Sequence, residues 1–250
     1  MNIFSSRISL PKLFGTFLFL AITTSAVHAT PISLTGEELY NDPQVSFPTT
    51  APILTGTSLF FDSGVREFEK LFVLPLYPAS TSTSGPIEVS ISMNLTRLTS
   101  DWDPHLLLSD GNTLVGPVIA DNVGGQALAT VMTDLGDVGQ RDVLQSVMTG
   151  AGYPAIGESF DVDALFTVDK LLTTVDVAFL SGSTTFTTSA LDPTAGLSFV
   201  FMRDNDVGEQ YQVNSITYDV VGVPEPVTLA LMTLGLAGMG LGRKMLATQS

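Results

Sequence analysis

Ile87-Glu88-Val89-Ser90-Ile91-Ser92-Met93-Asn94-Leu95-Thr96 alternates apolar and polar residues without a break. A period of two is that of a β-strand with one face buried and the other in water. The same period recurs along the chain. Phe160, Val162, Ala164 and Phe166 alternate with Asp161, Asp163 and Leu165. Val175, Val177 and Phe179 sit opposite Thr174, Asp176 and Ala178, and Leu197, Phe199 and Phe201 alternate with Ser198, Val200 and Met202. Residues 213–220 repeat the pattern, and shorter strands are predicted at 57–61, 71–77, 106–108, 114–119 and 183–188. Breakers separate them: Thr81-Ser82-Thr83-Ser84-Gly85-Pro86, Asp110-Gly111-Asn112, Ser181-Gly182-Ser183 and Asp192-Pro193-Thr194-Ala195-Gly196. One stretch departs from this. Val143, Leu144, Val147 and Met148 are spaced as on a helix, which predicts a helix over Gln140–Thr149 stopped by Gly150. About ten short strands with turn signals predict an all-β fold. The expected form is an antiparallel β-sandwich of jelly-roll or lectin-like type, with a small barrel as the alternative. No fixed-period repeat is evident, which argues against a propeller or a β-helix.

The 250 residues carry 10 Lys+Arg against 25 Asp+Glu, a formal net charge of −15, with no cysteine, 2 histidines and 1 tryptophan. This balance argues against a nucleic-acid binder, because phosphate contacts need clustered Lys and Arg. The lack of cysteine excludes disulfides, thiolate catalysis and Cys-bound zinc. Only 14% of the residues are charged and the mean hydropathy is +0.35, so apolar residues must be concentrated somewhere. They are concentrated at the two ends.

Residues 1–29 read as a secretory signal peptide. Arg7 and Lys12 lead into an apolar stretch from Leu13 to Ala26. Val27-His28-Ala29 then offers permitted residues for cleavage after Ala29. At the other end Pro224-Glu225-Pro226 precedes an apolar run from Val227 to Gly242, closed by Arg243-Lys244. As a helix that run is about 24 Å long at ~1.5 Å per residue. A single transmembrane helix over 227–242 is expected, short for the bilayer, with its basic end in the cytoplasm. The prolines put its start at or after Pro226.

Pro224-Glu225-Pro226, the apolar run and the basic pair stand in order at the extreme C-terminus, behind a signal peptide. Together they resemble the PEP-CTERM sorting signal of Gram-negative bacteria, over residues 223–250. The resemblance implies signal peptidase and an exosortase as processing partners, with cleavage near Pro224–Pro226. It implies an inner-membrane-anchored precursor that ends at the cell surface or in an extracellular polysaccharide or biofilm matrix. The chain divides accordingly into a signal peptide (1–29), a β-sandwich ectodomain (30–222) and a sorting signal (223–250). Between 30 and 222, six basic residues face 24 acidic ones, a net charge of −18.

No nucleophile elbow, P-loop, dinucleotide fingerprint or HExxH motif is present. His105 is the only histidine between the signals, so a Ser-His-Asp site would have to use it. A lone histidine beside Pro104 reads instead as part of a surface loop or as an ordinary polar contact. A glycoside hydrolase needs only two carboxyl groups about 5–10 Å apart, and Asp161/Asp163 or Asp101/Asp103 would share a strand face. Calcium takes several oxygen ligands. Asp204-Asn205-Asp206-Val207-Gly208-Glu209 offers Asp204, Asp206 and Glu209, with Glu37, Glu38 or Asp42 as a second arm. Asp101, Asp103 and Asp110 form another acidic cluster, although Asp and Asn are also ordinary turn formers. Trp102, flanked by Asp101 and Asp103, is the candidate sugar-stacking residue, equally suited to a core; Tyr211 and Tyr218 are weaker ones. The expected function is that of an exported, non-enzymatic surface or matrix protein associated with exopolysaccharide. The alternatives are a secreted polysaccharide hydrolase using a carboxylate pair and a calcium-dependent carbohydrate-binding module.

Overall fold

The computed structural model describes residues 30–49, 51–62, 68–79, 85–100, 103–120, 126–147, 154–169, 171–180, 182–188, 191–204 and 209–222. The expected signal peptide and the expected sorting signal, with Pro224, Glu225, Pro226, Arg243 and Lys244, lie outside them. Among the described residues no helix is long and apolar enough to cross a membrane. In chain order the elements are β1 (Ile32–Thr35), α1 (Gly36–Asn41), β2 (Ile53–Thr55), β3 (Ser58–Phe61), β4 (Lys70–Tyr77) and β5 (Ile87–Arg97). Then come β6 (His105–Ser109), β7 (Thr113–Ala120), β8 (Gln126–Asp134), β9 (Gly139–Val147) and β10 (Ser159–Val168). The last four are β11 (Thr173–Phe179), β12 (Gly182–Thr188), β13 (Leu197–Met202) and β14 (Tyr211–Val221).

The strands build an all-β antiparallel sandwich. An eight-stranded sheet has the order β12-β11-β10-β5-β14-β3-β2, with β1 also paired to β14, and a six-stranded sheet has the order β4-β13-β6-β7-β8-β9. Their inner faces make one core. The inward residues of β5, Ile87, Val89, Ile91, Met93 and Leu95, meet Phe160, Val162, Phe166, Val175 and Val177 from β10 and β11. An aromatic ladder ties the sheets together: Phe61–Phe72 at 6.3 Å, Phe72–Phe201 at 5.5 Å and Phe201–Tyr211 at 5.6 Å between ring centroids. Such pairs contribute beyond their buried area.

The six-stranded sheet is also covered on its outer face. Leu107, Leu114, Met132, Val200 and Met202 form a second buried cluster, with Phe68 and Val73 packed on it. The chain at 68–70 crosses that face, held by Gly139 N–H to the Phe68 carbonyl (3.0 Å) and Lys70 N–H to the Asp137 carbonyl (3.0 Å). Gly116 packs directly on β6, where an added Cβ would sit 2.1 Å from the Leu106 carbonyl oxygen. The β6–β7 register runs from His105↔Val118 to Leu108↔Val115 and skips Gly116-Pro117, because proline has no N–H to give the ladder.

The helix expected over Gln140–Thr149 is overturned. Residues 139–147 are β9, paired antiparallel with β8 from Asp134↔Gly139 to Ala127↔Val147. A tight hairpin imposes this: Leu135 N–H bonds the Val138 carbonyl (3.0 Å), and Gly136 supplies a φ of 90°. Val143, read as part of a helix's apolar stripe, is 56% exposed on this edge strand.

Candidate functional site

Three places carry polar chemistry. The first gathers residues that sequence analysis assigned to two separate loops. Asp103, Asp204 and Glu209 meet in one buried cluster, where the Asp103 N–H donates to Glu209 Oε1 (3.3 Å) and Tyr211 Oη–H donates to Glu209 Oε2. Arg141 Nη2 donates to Asp204 Oδ2 (3.0 Å), and its guanidinium lies over the Phe68 ring at 4.7 Å. Glu209 is 0% exposed, and this burial pushes its carboxyl up to about 7; the Asp103 and Asp204 charges add to the rise and the Tyr211 bond opposes it. Asp101, Trp102 and Asp206 lie outside the described residues.

His105 is not on a surface loop and takes the other expected role, that of an internal polar contact. It opens β6, is 0% exposed and packs edge-on to Phe68 with ring centroids 6.0 Å apart. Its Nδ1 donates to the Asp103 carbonyl (2.9 Å), which leaves Nε2 to accept from Arg141 Nη2 (3.3 Å). Burial is the main cause that lowers its pKa to about 4, with Arg141 adding to the drop and Asp204 opposing it. The ring is therefore a neutral structural contact, committed at both nitrogens, with none left to activate a serine. Tyr211 is likewise fully buried, which removes it as a sugar platform.

Two of the three acidic residues offered as a second calcium arm, Glu38 and Asp42, do other work. Thr35 and Glu38 form a capping box on α1, and Glu38 Oε2 accepts from Thr35 N–H (2.8 Å) and Oγ1–H (3.0 Å). These bonds hold the Glu38 carboxyl below its ordinary range. Asp42 accepts from Gln44 N–H (2.8 Å) and lies near Tyr218, whose phenol is raised by burial first and by the Asp42 charge second. Tyr218 is seven residues along β14 from Tyr211, about 23 Å at ~3.3 Å per residue. Among the described residues no three His, Asp or Glu side chains converge to hold a metal ion.

The second place was not legible beforehand. On the outer face of the six-stranded sheet, a cleft of about 280 Å³ is lined by Lys70, Ser109, Asp110, Asp134, Ser198 and Val200, among others. Lys70 is 4% exposed and its Nζ pairs with Asp134 Oδ1 at 2.5 Å. Asp134 also accepts from Gly136 N–H (3.0 Å) and Ser109 Oγ–H (2.8 Å). Asp110 is saturated by the Asn112, Thr113 and Asp192 amides (2.8–2.9 Å). These internal bonds make it a structural network.

The third place is the outer face of the eight-stranded sheet, where a groove of about 430 Å³ is lined by Ser90, Asp163, Leu165, Asp176, Ser183 and Thr185, among others. Alternation puts these side chains outside because their neighbours Ile91, Ala164 and Val177 are core. Register aligns them into rungs. One runs Asp219↔Ser90↔Leu165↔Asp176↔Thr185, and the next runs Thr217↔Ser92↔Asp163↔Ala178↔Ser183. Asp163 and Asp176 are thus diagonal neighbours, about 7–8 Å apart along the sheet. Thr185 Oγ1–H donates to Asp176 Oδ1. Asp161 shares the face as expected, and accepts from Asn94 Nδ2 (2.7 Å).

No family model and no curated relative matches the chain. Solved structures do resemble it. Lectin I of Ulex europaeus, in complex with the methyl glycoside of α-L-fucose, is similar over 77% of this chain and 98% of its own, at 11% identity and a TM-score of 0.48. Arcelin-5, a lectin-like defence protein of Phaseolus vulgaris, is similar over 77% and 99%, at 13% identity and a TM-score of 0.45. The CBM2 module of the evolved Dit of Lactobacillus casei BL23 phage J-1 is similar over 79% and 100%, at 11% identity and a TM-score of 0.44.

Proposed function

We propose that this chain is an exported, non-enzymatic protein that binds polysaccharide through the outer face of its eight-stranded sheet. In this reading the PEP-CTERM signal delivers it to the cell surface or matrix. The observation that carries the binding is the groove itself. It lies across adjacent strands, so a linear polymer can run along it without threading a closed pocket. Its lining mixes hydroxyls, carboxylates and the apolar Leu165 and Ala178. Sugar units present hydroxyls that both donate and accept, and C–H faces that cover apolar side chains. The rungs fix these groups on a rigid sheet, so little ordering is needed on binding.

The hydrolase alternative requires a proton-donating carboxyl at the scissile bond. Glu209, the carboxyl that burial raises to about 7, has no exposed surface and meets no substrate. In this reading, which rests on the resemblance to the PEP-CTERM signal, the chain is exported through residues 1–29, residues 227–242 halt in the inner membrane, and an exosortase cleaves near Pro224–Pro226.

The test is co-sedimentation of the exported protein with the host's own purified exopolysaccharide, followed by an assay for new reducing ends. Saturable binding without turnover is expected. Absence of binding removes the proposal, and turnover moves it to the hydrolase class. For delivery, alanine at Pro224, Glu225 and Pro226 together should leave the chain at full length; normal processing of that variant would refute the sorting assignment.

A further inference from the structure

We infer that the polymer this groove takes is amine-bearing, a polysaccharide with free amino groups rather than a neutral or anionic one. The inference rests on the reading of the groove as a sugar-binding face and adds the charge of the sugar. Its first support is where the positive charges of the domain are. Of six basic residues between 30 and 222, four are described: Lys70, Arg97, Arg141 and Arg203. All four are committed to acceptors of the protein itself. Lys70 pairs with Asp134, and Arg203, 2% exposed, pairs with Glu69. Arg141 pairs with Asp204 against Phe68. Arg97 donates to the Thr99, Pro154 and Ser100 carbonyls (3.0, 2.8 and 2.6 Å). Three of these sites lie on the other sheet or the segments flanking it.

Some acids are buried beside these cations, as Glu69 and Asp204 are, and others face solvent from the eight-stranded sheet. Asp161, Asp163 and Asp176 project to solvent from β10 and β11, and Glu88 does so from β5. Among the described residues, Asp163 in the groove has no donor on either oxygen, and Asp176 has only Thr185 on Oδ1. The groove therefore presents open acceptors, and none of the four described cations lines it. A uronate or sulfated polymer would be repelled, and a neutral one would leave the carboxylates to water. A protonated amine completes them with charge-assisted bonds, while ring hydroxyls meet Ser90, Ser183 and Thr185.

The test uses the full-length chain and two hexasaccharides with one backbone: the β-1,4-linked glucosamine hexamer and its fully N-acetylated counterpart, titrated at pH 6 and low salt. The amine form is expected to bind at least tenfold tighter. D163N together with D176N should lower that affinity to the level of the acetylated form with an unchanged melting midpoint, which separates lost charge from lost folding. Equal binding of both hexamers, weakened by Leu165→Asp, would overturn the charge assignment and keep the groove as a sugar site. Binding of neither hexamer, nor of the host exopolysaccharide, would overturn the groove reading itself. Polylysine bound as tightly as the amine hexamer, and insensitive to D163N/D176N, would reduce the effect to the overall acidity of the surface and also overturn the inference.

Discussion

Replacing Glu209 with Gln isolates the energetics of the buried cluster. In the folded protein Glu209 holds its proton up to about pH 7, against 4.5 for the ordinary side chain. Between those values the folded state keeps a proton that the unfolded state has released. Stability from this group therefore falls as pH rises through that window. His105 has the opposite sign. Its folded value is about 4 against 6.5 unfolded, so its contribution rises with pH from about 4 to 6.5. In the wild-type chain the two slopes oppose each other from about 4.5 to 6.5, and the Glu209 loss stands alone above that range. Gln mimics the neutral acid and carries no titration. The stability of E209Q relative to wild type should then increase by about 2.5 kcal/mol between pH 5 and pH 8, integrating a single proton over that interval. Any fixed change in the bonds to Tyr211 Oη and the Asp103 amide is the same at both pH values and cancels. Urea unfolding followed by far-ultraviolet circular dichroism at the two pH values gives the difference directly. A relative stability that is flat with pH would refute the claim that Glu209 is kept protonated by its surroundings.

Other perturbations read other parts of the fold. Gly116→Ala should destabilise by about 3 kcal/mol, since its Cβ would stand 2.1 Å from the Leu106 carbonyl oxygen and the strands must separate; an unchanged urea midpoint would show that β6 and β7 part freely. Lys70→Met should cost roughly 3–5 kcal/mol by leaving Asp134 buried without its cation, and a loss under 1 kcal/mol would mean that Gly136 and Ser109 suffice to hold that carboxylate. Millimolar calcium should leave the thermal midpoint unchanged, because Arg141 already holds Asp204 while Tyr211 and the Asp103 amide hold Glu209. A rise of several degrees would place a cation on those carboxylates with help from residues 205–208.

The strands that were legible in the sequence are those with one wet face. β5 and β10 alternate because their outer side chains meet water, and both were read with nearly correct ends. β8 escaped notice because its two faces are both covered: Ala127 and Ala129 join the main core, and Met132 the outer cluster. Burial on both faces erases the alternation that marks a strand. β9 was misread because Val143, Leu144 and Val147 fit a helical spacing, while the Gly136 hairpin that returns the chain to β8 outweighs local pattern. The buried cluster was half legible. Its acids were singled out, yet as two sites, because nothing local joins Asp103 to Glu209 across 106 residues. The environment of His105 likewise depends on Phe68 and Arg141, which reach it from the segment before β4 and from β9.

Net charge alone does not describe what this protein shows to a ligand. A value of −18 between residues 30 and 222 is compatible with scattered lysines that would soften any acidic groove. Folding sharpens the contrast instead. Lys70 and Arg203 are carried into the outer layer of the six-stranded sheet, where Asp134 and Glu69 neutralise them at the cost of desolvating both partners. An apolar pair of similar volume would hold that layer at least as well, so stability alone does not account for placing the cations there. The placement does separate functions. Lys70, Arg141 and Arg203 are spent in the layer that closes over Phe68, and none of the described cations lines the groove that holds Asp163 and Asp176 on the opposite sheet. Moving one such cation to the groove, as in Ser183→Lys, should leave the fold intact, since Ser183 lies exposed on the edge strand β12. It should weaken binding of the glucosamine hexamer at least as much as D163N, by internal pairing with the carboxylates. Unaltered binding in S183K, with wild-type melting, would break the link between this charge separation and the groove.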